Sequence, residues 1–460
     1  MARRYPPGPK GHLLGLNLAL KFRNSPLEFI TELGRNYGDI SYFRMGPMRA
    51  YVVNHPQLVR ETLVTKNKSF RRPRWLLAPL RKLDGEGLVL SDGDLWLRQR
   101  RLVQPAFSTK RFDGYGQVTV DYTRRMVERW RSGVSLNIAD EMTRLTLEII
   151  AKTLFGLEVS ADTNRLGDAV RVISQTYIRE AANPFKLPDW LPLAAKRRKR
   201  QAIRTLDELA WSIIRQRRAA GDDRGDLLSM LLLAVDQEGD GRGMSDRQAR
   251  DEAITLFNAG HDTTAAALAW IWYAVAKHPE VQVRLADEAA TVLADRAAIY
   301  ADVARLTYTE MVVKETLRLY PPTWAMVPRE AVTEVELGGY QVPKGAWVYA
   351  FPFVTHRDPR FFERPEVFDP ERFAPGRAEK IPQYAYFPFG GGPRVCIGNT
   401  FATMEMILIV ATVLRSFRVQ LAAGQPDAVP EPLIAMRPKG GLRVSLAPRA
   451  EMSYADKAPL

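Results

Sequence analysis

Apolar residues recur near helical spacing through the middle of the chain. The stretches Asp121–Trp130, Ile138–Phe155, Ala202–Arg217 and Asp226–Val235 each predict an amphipathic helix. Towards both ends the pattern shortens and becomes β-branched and aromatic. Ile40–Arg44 and Ala50–Val53 flank a Gly46-Pro47 turn, while Val335–Leu337 and Ala346–Tyr349 flank Gly338-Gly339 and Pro343-Lys344-Gly345. These four runs read as strands of a minor, partly antiparallel sheet. From Phe351 to Pro393, Pro, Phe and charged residues mix without either period, which predicts an ordered but irregular meander. No repeat, low-complexity stretch or Gly/Ser linker interrupts the chain. The expectation is a mainly α fold with a small β-rich part, forming a single domain over residues 1–460.

One helix stands apart. Ser245-Asp246-Arg247-Gln248 is a capping box, and no Pro follows until Pro279. At ~1.5 Å per residue such a helix spans roughly 50 Å, enough to cross the whole domain. Its centre reads Ala259-Gly260-His261-Asp262-Thr263-Thr264. Gly, Asp and Thr are poor helix formers, and a local conflict of this kind often marks a function. A tolerated polar patch at a helix–helix contact would look the same.

Composition narrows the choices. The 460 residues are 46% hydrophobic and 26% charged, which suits a globular protein. The longest apolar run, around Ala265 to Ala276, falls short of the ~20 residues a membrane helix needs. The basic start of the chain has no apolar core to make a signal peptide. A cytoplasmic protein without a transmembrane anchor is expected. The single cysteine excludes an intramolecular disulfide framework and a Cys-based zinc ribbon.

That cysteine sits in Phe389-Gly390-Gly391-Gly392-Pro393-Arg394-Val395-Cys396-Ile397-Gly398, and a strongly helical run follows. Most lone cysteines are buried and inert. Here the glycines allow close backbone approach, a helix N-terminus favours a thiolate, and Arg394 adds positive charge. A cysteine hydrolase would need a His partner from His12, His55, His261, His278 and His356, of which His261 and His356 are candidates. Thiolate ligation of a haem iron accounts better for the glycines, because a flat macrocycle must lie against the loop.

The segment Phe389 to Gly398 resembles the haem-binding loop of the cytochrome P-450 family, the haem-thiolate monooxygenases. Trp96-Leu97-Arg98-Gln99-Arg100 resembles the helix that reaches a haem propionate. Ala259 to Thr264 resembles the oxygen-activating segment of the long central helix over the haem. Glu315-Thr316-Leu317-Arg318 resembles the Glu-x-x-Arg helix, and Pro370-Glu371-Arg372-Phe373 the segment that completes its ion-pair network. The loop is specific by itself, and five motifs in order span most of the chain.

The resemblance implies haem b with Cys396 as the iron ligand. A thiolate pushes electron density towards iron and favours O–O cleavage. It places Trp96, Arg100, Arg329 and Arg394 at the propionates, where guanidinium forks suit carboxylates. Ala259, Gly260, Phe389, Gly390 and Gly398 would lie against the haem. Asp262 and Thr263 would form an acid–alcohol pair delivering protons to O₂, with Asp262 relaying them from solvent and Gly260 leaving room for O₂ or water. The Thr263 hydroxyl could also bond the Ala259 carbonyl and open a groove over the iron. Glu315, Arg318 and Arg372 would be structural. Trp75, Leu76, Phe257, Ala259, Thr263, Trp324, Ala325 and Met326 would line the substrate pocket.

The implied reaction inserts one oxygen atom from O₂ into a C–H bond of a lipophilic substrate, a fatty acid first and a terpenoid or other hydrocarbon next. A haem-thiolate isomerase, dehydratase or peroxygenase is the alternative within the class; a basic nucleic-acid-binding protein is the alternative outside it. The chain ends soon after the haem region, so no fused reductase is expected. NAD(P)H-derived electrons would arrive through a separate ferredoxin or flavodoxin and its reductase. With 66 Lys+Arg against 52 Asp+Glu, the net charge of +14 suits an acidic donor. The densest basic run, Lys196 to Arg200, reads first as a solvated helix start and second as a contact with an anionic membrane surface. No aromatic-interleaved nucleic-acid module accompanies it, so no nucleic acid is expected, and a monomer is.

Overall fold

In a computed structural model the described residues are 4–158, 165, 167–169, 172, 173, 176, 191, 193–221 and 223–449. The central helix runs over Asp246–Lys277. Its first turn is fixed by the predicted box: the Gln248 N–H donates to Ser245 Oγ at 3.2 Å, and the Ser245 N–H donates to Gln248 Oε1 at 3.1 Å. Such a cap contributes about 1 kcal/mol. From Ala249 to Val275 most of its residues are buried, so the helix is covered on every side rather than along one stripe. It ends where Pro279 opens the next helix.

The principal neighbour of the central helix is the helix Ile138–Phe155, whose bounds match the sequence expectation. A Cβ on Gly260 would lie 2.9 Å from Ile150 Cδ1. The missing side chain at Gly260 therefore serves this close helix crossing. Trp270 and Trp272 are fully buried further along; Trp270 stacks on Tyr320 with ring centroids 4.2 Å apart and donates its indole N–H to the Met436 carbonyl at 3.0 Å. The helix Asn399–Ser416, which follows the cysteine, is buried from Phe401 to Leu414 apart from Ala402 and Thr403, and packs against Thr109–Arg129.

The β part is small. Strands Ile40–Met45 and Met48–Val53 form the predicted antiparallel hairpin. Met48–Val53 pairs in parallel with Trp347–Ala350, which pairs in turn with Arg329–Ala331, and Phe70–Arg71 closes the far edge. This sheet brings Arg329, from late in the chain, beside residues of the first hundred. Between Phe351 and Pro393 the chain forms one short helix, 3-10 turns and irregular backbone, as expected. The basic run opens the helix Ala194–Ala220, but Lys199 is buried and Lys196 and Arg200 are half-buried, so only Arg197 and Arg198 stand fully in solvent. Among the described residues no helix is long and apolar enough to cross a membrane.

Candidate active site

Cys396 opens onto an interior cavity, with the central helix forming a facing wall through Ala259, Gly260 and Thr263. The loop carrying it is pinned by its own backbone. The Cys396 N–H donates to the Phe389 carbonyl, the Val395 N–H to Gly392 and the Gly390 N–H to Phe387, each at 3.0 Å. Gly392 is the most constrained glycine here. Its φ is +65°, and a Cβ would fall 2.0 Å from the Leu63 carbonyl oxygen. Gly390, at φ +75°, accommodates Met326, whose Cε would sit 2.7 Å from an added Cβ.

A chain of contacts connects this loop to the Glu-x-x-Arg helix, Thr307–Leu319. Arg318 grips Glu315 through two hydrogen bonds of 2.7 and 2.8 Å, and neither side chain is exposed. It also donates to the carbonyls of His356, Pro365 and Val367 at 2.9, 2.6 and 3.1 Å. Glu315 accepts from the Asp369 N–H at 2.9 Å and lies 3.4 Å from Arg372 Nε. His356 Nε2 then accepts from the Phe387 N–H at 2.9 Å. Burial, with Arg318 and Arg357 nearby, pushes the His356 ring down to about 3, so it is neutral and able to accept.

The cavity gathers Trp96, Arg100, Ala259, Gly260, Thr263, Met326, Phe389, Arg394, Cys396 and Gly398 from the sequence expectations. Arg100 donates to the Val395 carbonyl at 2.9 Å. Arg394 pairs with Asp92, donates to the Ser91 carbonyl at 2.9 Å and lies over the Trp96 ring, 4.3 Å from its centroid. Sequence reasoning missed Arg72, which also lines the cavity. Its Nε and Nη1 are buried without hydrogen-bond partners. Burial, together with Arg329 and Arg394, holds the Arg72 guanidinium well below its ordinary range, and burial beside Arg394 lowers Arg329 to about 10. Asp92 is the carboxylate that opposes this crowding at both sites. Three neighbouring guanidiniums facing one carboxylate, with buried N–H groups unsatisfied, form a cradle for anionic groups.

The sequence expectation is a Cys396 thiolate favoured by the helix terminus and Arg394. Burial instead pushes the thiol up, against the Gly398 N–H and Arg100, while Arg394 is engaged with Asp92. The Gly398 N–H and Arg100 favour the thiolate against that desolvation, and a bound metal cation would deprotonate the thiol outright. The residues fit a haem on three counts: a sulfur ligand facing a cavity, glycines that clear space for the loop, and an unsatisfied cationic corner for two propionates.

Asp262, expected as a relay from solvent, is turned around the helix from Thr263, where it pairs with Arg437 at 2.5 Å. Several residues expected in the substrate pocket face elsewhere. Phe257 packs on Phe155 and His261 in the core instead of facing the cavity. Trp75 is 61% exposed and rests on Trp347, and Leu76 also lies off the cavity. Trp324 and Ala325 turn towards the N-terminal helices, with the Trp324 indole bonded to the Leu433 carbonyl at 2.9 Å. The cavity wall uses Leu88, Val89, Leu256, Pro322 and Thr323 instead. Neither His261 nor His356 lines the cavity, so the hydrolase alternative lacks its base. Thr263 and Thr264 donate to the Ala259 and Gly260 carbonyls at 2.8 and 2.9 Å, so two successive hydroxyls draw on the helix backbone where it faces the cavity.

A long helix crossing above a cysteine loop, with a cationic corner beside it, defines a haem-thiolate protein. The family model described as Cytochrome P450 matches residues 6–444. Curated relatives include a cyclooctat-9-en-7-ol 5-monooxygenase of Streptomyces melanosporofaciens, 37% identical across 90% of this chain and 88% of the relative. A pentalenene oxygenase of Streptomyces avermitilis is 32% identical across 90% and 91%. Cytochrome P450 4F6 of Rattus norvegicus is 31% identical across 97% and 88%. The chain belongs to the cytochrome P450 family. It is an oxidoreductase of the monooxygenase type, and the family implies haem, O₂ and electrons from a redox partner.

Proposed function

We propose that this chain, as a single haem domain, oxidises a C–H bond of a neutral cyclic terpenoid. One atom of O₂ enters the substrate, and the other leaves as water with two electrons and two protons. The observation that carries this reading is the cavity itself, where Cys396 and Thr263 line one largely apolar space. Haem b, when bound there, supplies the binding and activation of O₂. Cys396 is assigned as its ligand, and Trp96, Arg72, Arg100, Arg329 and Arg394 as the propionate partners. Thr263 is assigned to hold a proton beside the cavity. Asp262, kept on the helix flank by Arg437, is assigned to resupply it.

This reading puts the terpenoid ahead of the fatty acid, which the sequence expectation placed first. Among the described residues the cations lining the cavity are Arg72, Arg100 and Arg394, and all three lie at the corner assigned to the propionates. No further cation among the described residues lines the cavity for a fatty-acid carboxylate. The rest of the wall, from Leu88 and Val89 to Pro322 and Met326, suits a neutral hydrocarbon skeleton. The names of the two Streptomyces relatives point the same way. In the holoenzyme, a cyclic terpene alcohol should shift the haem spin state at lower concentration than a long-chain fatty acid. The reverse order would restore the fatty acid.

Electrons are assigned to an acidic ferredoxin or flavodoxin reduced by NAD(P)H, because the chain carries a net charge of +14. Its rate of reduction by such a donor should fall as salt rises. A salt-independent rate would exclude electrostatic steering.

A further inference from the structure

The segment from Asp84 to Ser91 carries Leu88 and Val89 into the cavity wall, and it is fastened to the central helix by carboxylates. The Glu86 N–H donates to Asp251 Oδ2 and the Leu88 N–H to Glu252 Oε2, both at 3.0 Å. Asn258 Nδ2 donates to Asp84 Oδ1 at 2.7 Å. Two glycines make the approach possible. A Cβ on Gly85 would fall 2.1 Å from the Asp251 carboxylate, and one on Gly87 would fall 2.0 Å from Thr255 Oγ1. Gln99 braces the segment from the other side, donating to the Glu86 carbonyl at 2.7 Å.

Charge is distributed unevenly across this contact. Asp251 is paired with Arg250, which also pairs with Asp207 of the helix Ala194–Ala220. The Glu86 side chain is directed to Arg81. Glu252 is 0% exposed, receives the single Leu88 N–H, and has no partner for Oε1. An ionised carboxylate in that position would be buried without a counter-charge, so the favoured form is the neutral acid.

We infer that Glu252 is a positioning residue for substrate binding: with Asp251 it clamps residues 84–91 to the central helix and so fixes the cavity wall made by Leu88 and Val89. The clamp is closed while Glu252 is neutral. Ionisation places a second charge beside Asp251, and it is relieved by opening to water. This goes beyond the proposed substrate and holds whichever lipophilic molecule occupies the cavity.

The direction of the pH effect follows. Burial and Asp251 raise Glu252 to about 8, and burial raises Asp84 to about 7 despite Asn258 and Arg250. In the opened segment both return to ordinary carboxylate values, near ~4. Closed binds more protons than open, so closure weakens as pH rises towards each raised value and levels off above it. Between pH 7 and 8 Asp84 completes its ionisation in the closed form and accounts for about a twofold weakening, and Glu252 accounts for the larger share, about fivefold.

Amide hydrogen exchange over residues 85–91 of the holoenzyme, corrected for intrinsic rates, tests this without substrate or turnover. Protection should fall by up to about tenfold between pH 7 and 8 in the parent protein. Glu252→Gln keeps an acceptor for the Leu88 N–H without a charge and should lose no more than the roughly twofold share of Asp84 between the two pH values. Glu252→Ala should be poorly protected at both, and should lose the preference for phenylimidazole over imidazole that an ordered apolar wall gives. A flat parent profile would overturn the inference, as would an unchanged fall in Glu252→Gln. So would a Glu252→Gln as poorly protected as Glu252→Ala.

Discussion

Arg318→Ala is expected to leave little folded, haem-binding protein. Arg318 and Glu315 are both fully buried, and removing one member of such a pair strands the other charge, at about 3–5 kcal/mol. The carbonyls of His356, Pro365 and Val367 lose a donor at the same time. Since domains are stable by only about 5–15 kcal/mol, this one change removes a large share. The damage should reach the cysteine. Arg318 holds His356, His356 holds the Phe387 N–H, Phe387 accepts from Gly390, and Phe389 accepts from Cys396. Arg318→Lys should fail too, because one ammonium cannot reproduce a planar fork that spans a carboxylate and three carbonyls. Thermal melting followed by circular dichroism, with haem content per chain, measures both effects. A soluble Arg318→Ala with full haem content and an unchanged Tm would contradict the linkage.

Cys396→Ser should behave oppositely, keeping the fold and losing the chemistry. The substitution is nearly isosteric, and the backbone bond from residue 396 to Phe389 does not depend on the side chain. Serine is a hard oxygen donor that replaces the electron-rich sulfur on which O–O cleavage depends. Substrate oxidation should drop to the background of the assay while the melting temperature stays close to that of the parent. Retained oxidation would remove Cys396 from the role assigned to it.

These two sites differ in how legible they were. Cys396 is announced by its own neighbours, since glycine spacing and the following helix all lie within a few residues of it. The central helix is likewise encoded locally, by a cap at Ser245 and a stop at Pro279. The cavity walls are not. Whether Phe257, Trp324 or Met326 faces the cavity depends on what packs behind each one, and consecutive residues on a strand or helix point in different directions. Trp75 is apolar and stands near the correct segment, yet it rests on Trp347 from the other end of the chain. Asp262 is turned to the helix flank, where Arg437 on a distant strand meets it. Arg72 is hidden in the basic string Arg71-Arg72-Pro73-Arg74; only the folded chain crowds it with Arg329 and Arg394 and leaves its Nε and Nη1 without hydrogen-bond partners. The carboxylate clamp was invisible for the same reason, because Glu252 and Leu88 meet only once the fold is formed.

The central claim is that Cys396 ligates a haem iron as a thiolate. The absorbance spectrum of the reduced protein under carbon monoxide tests it most directly. The account predicts a Soret band shifted strongly to the red in the parent protein and absent from Cys396→Ser. An unshifted band in the parent, or a red-shifted band that survives in Cys396→Ser, would contradict it.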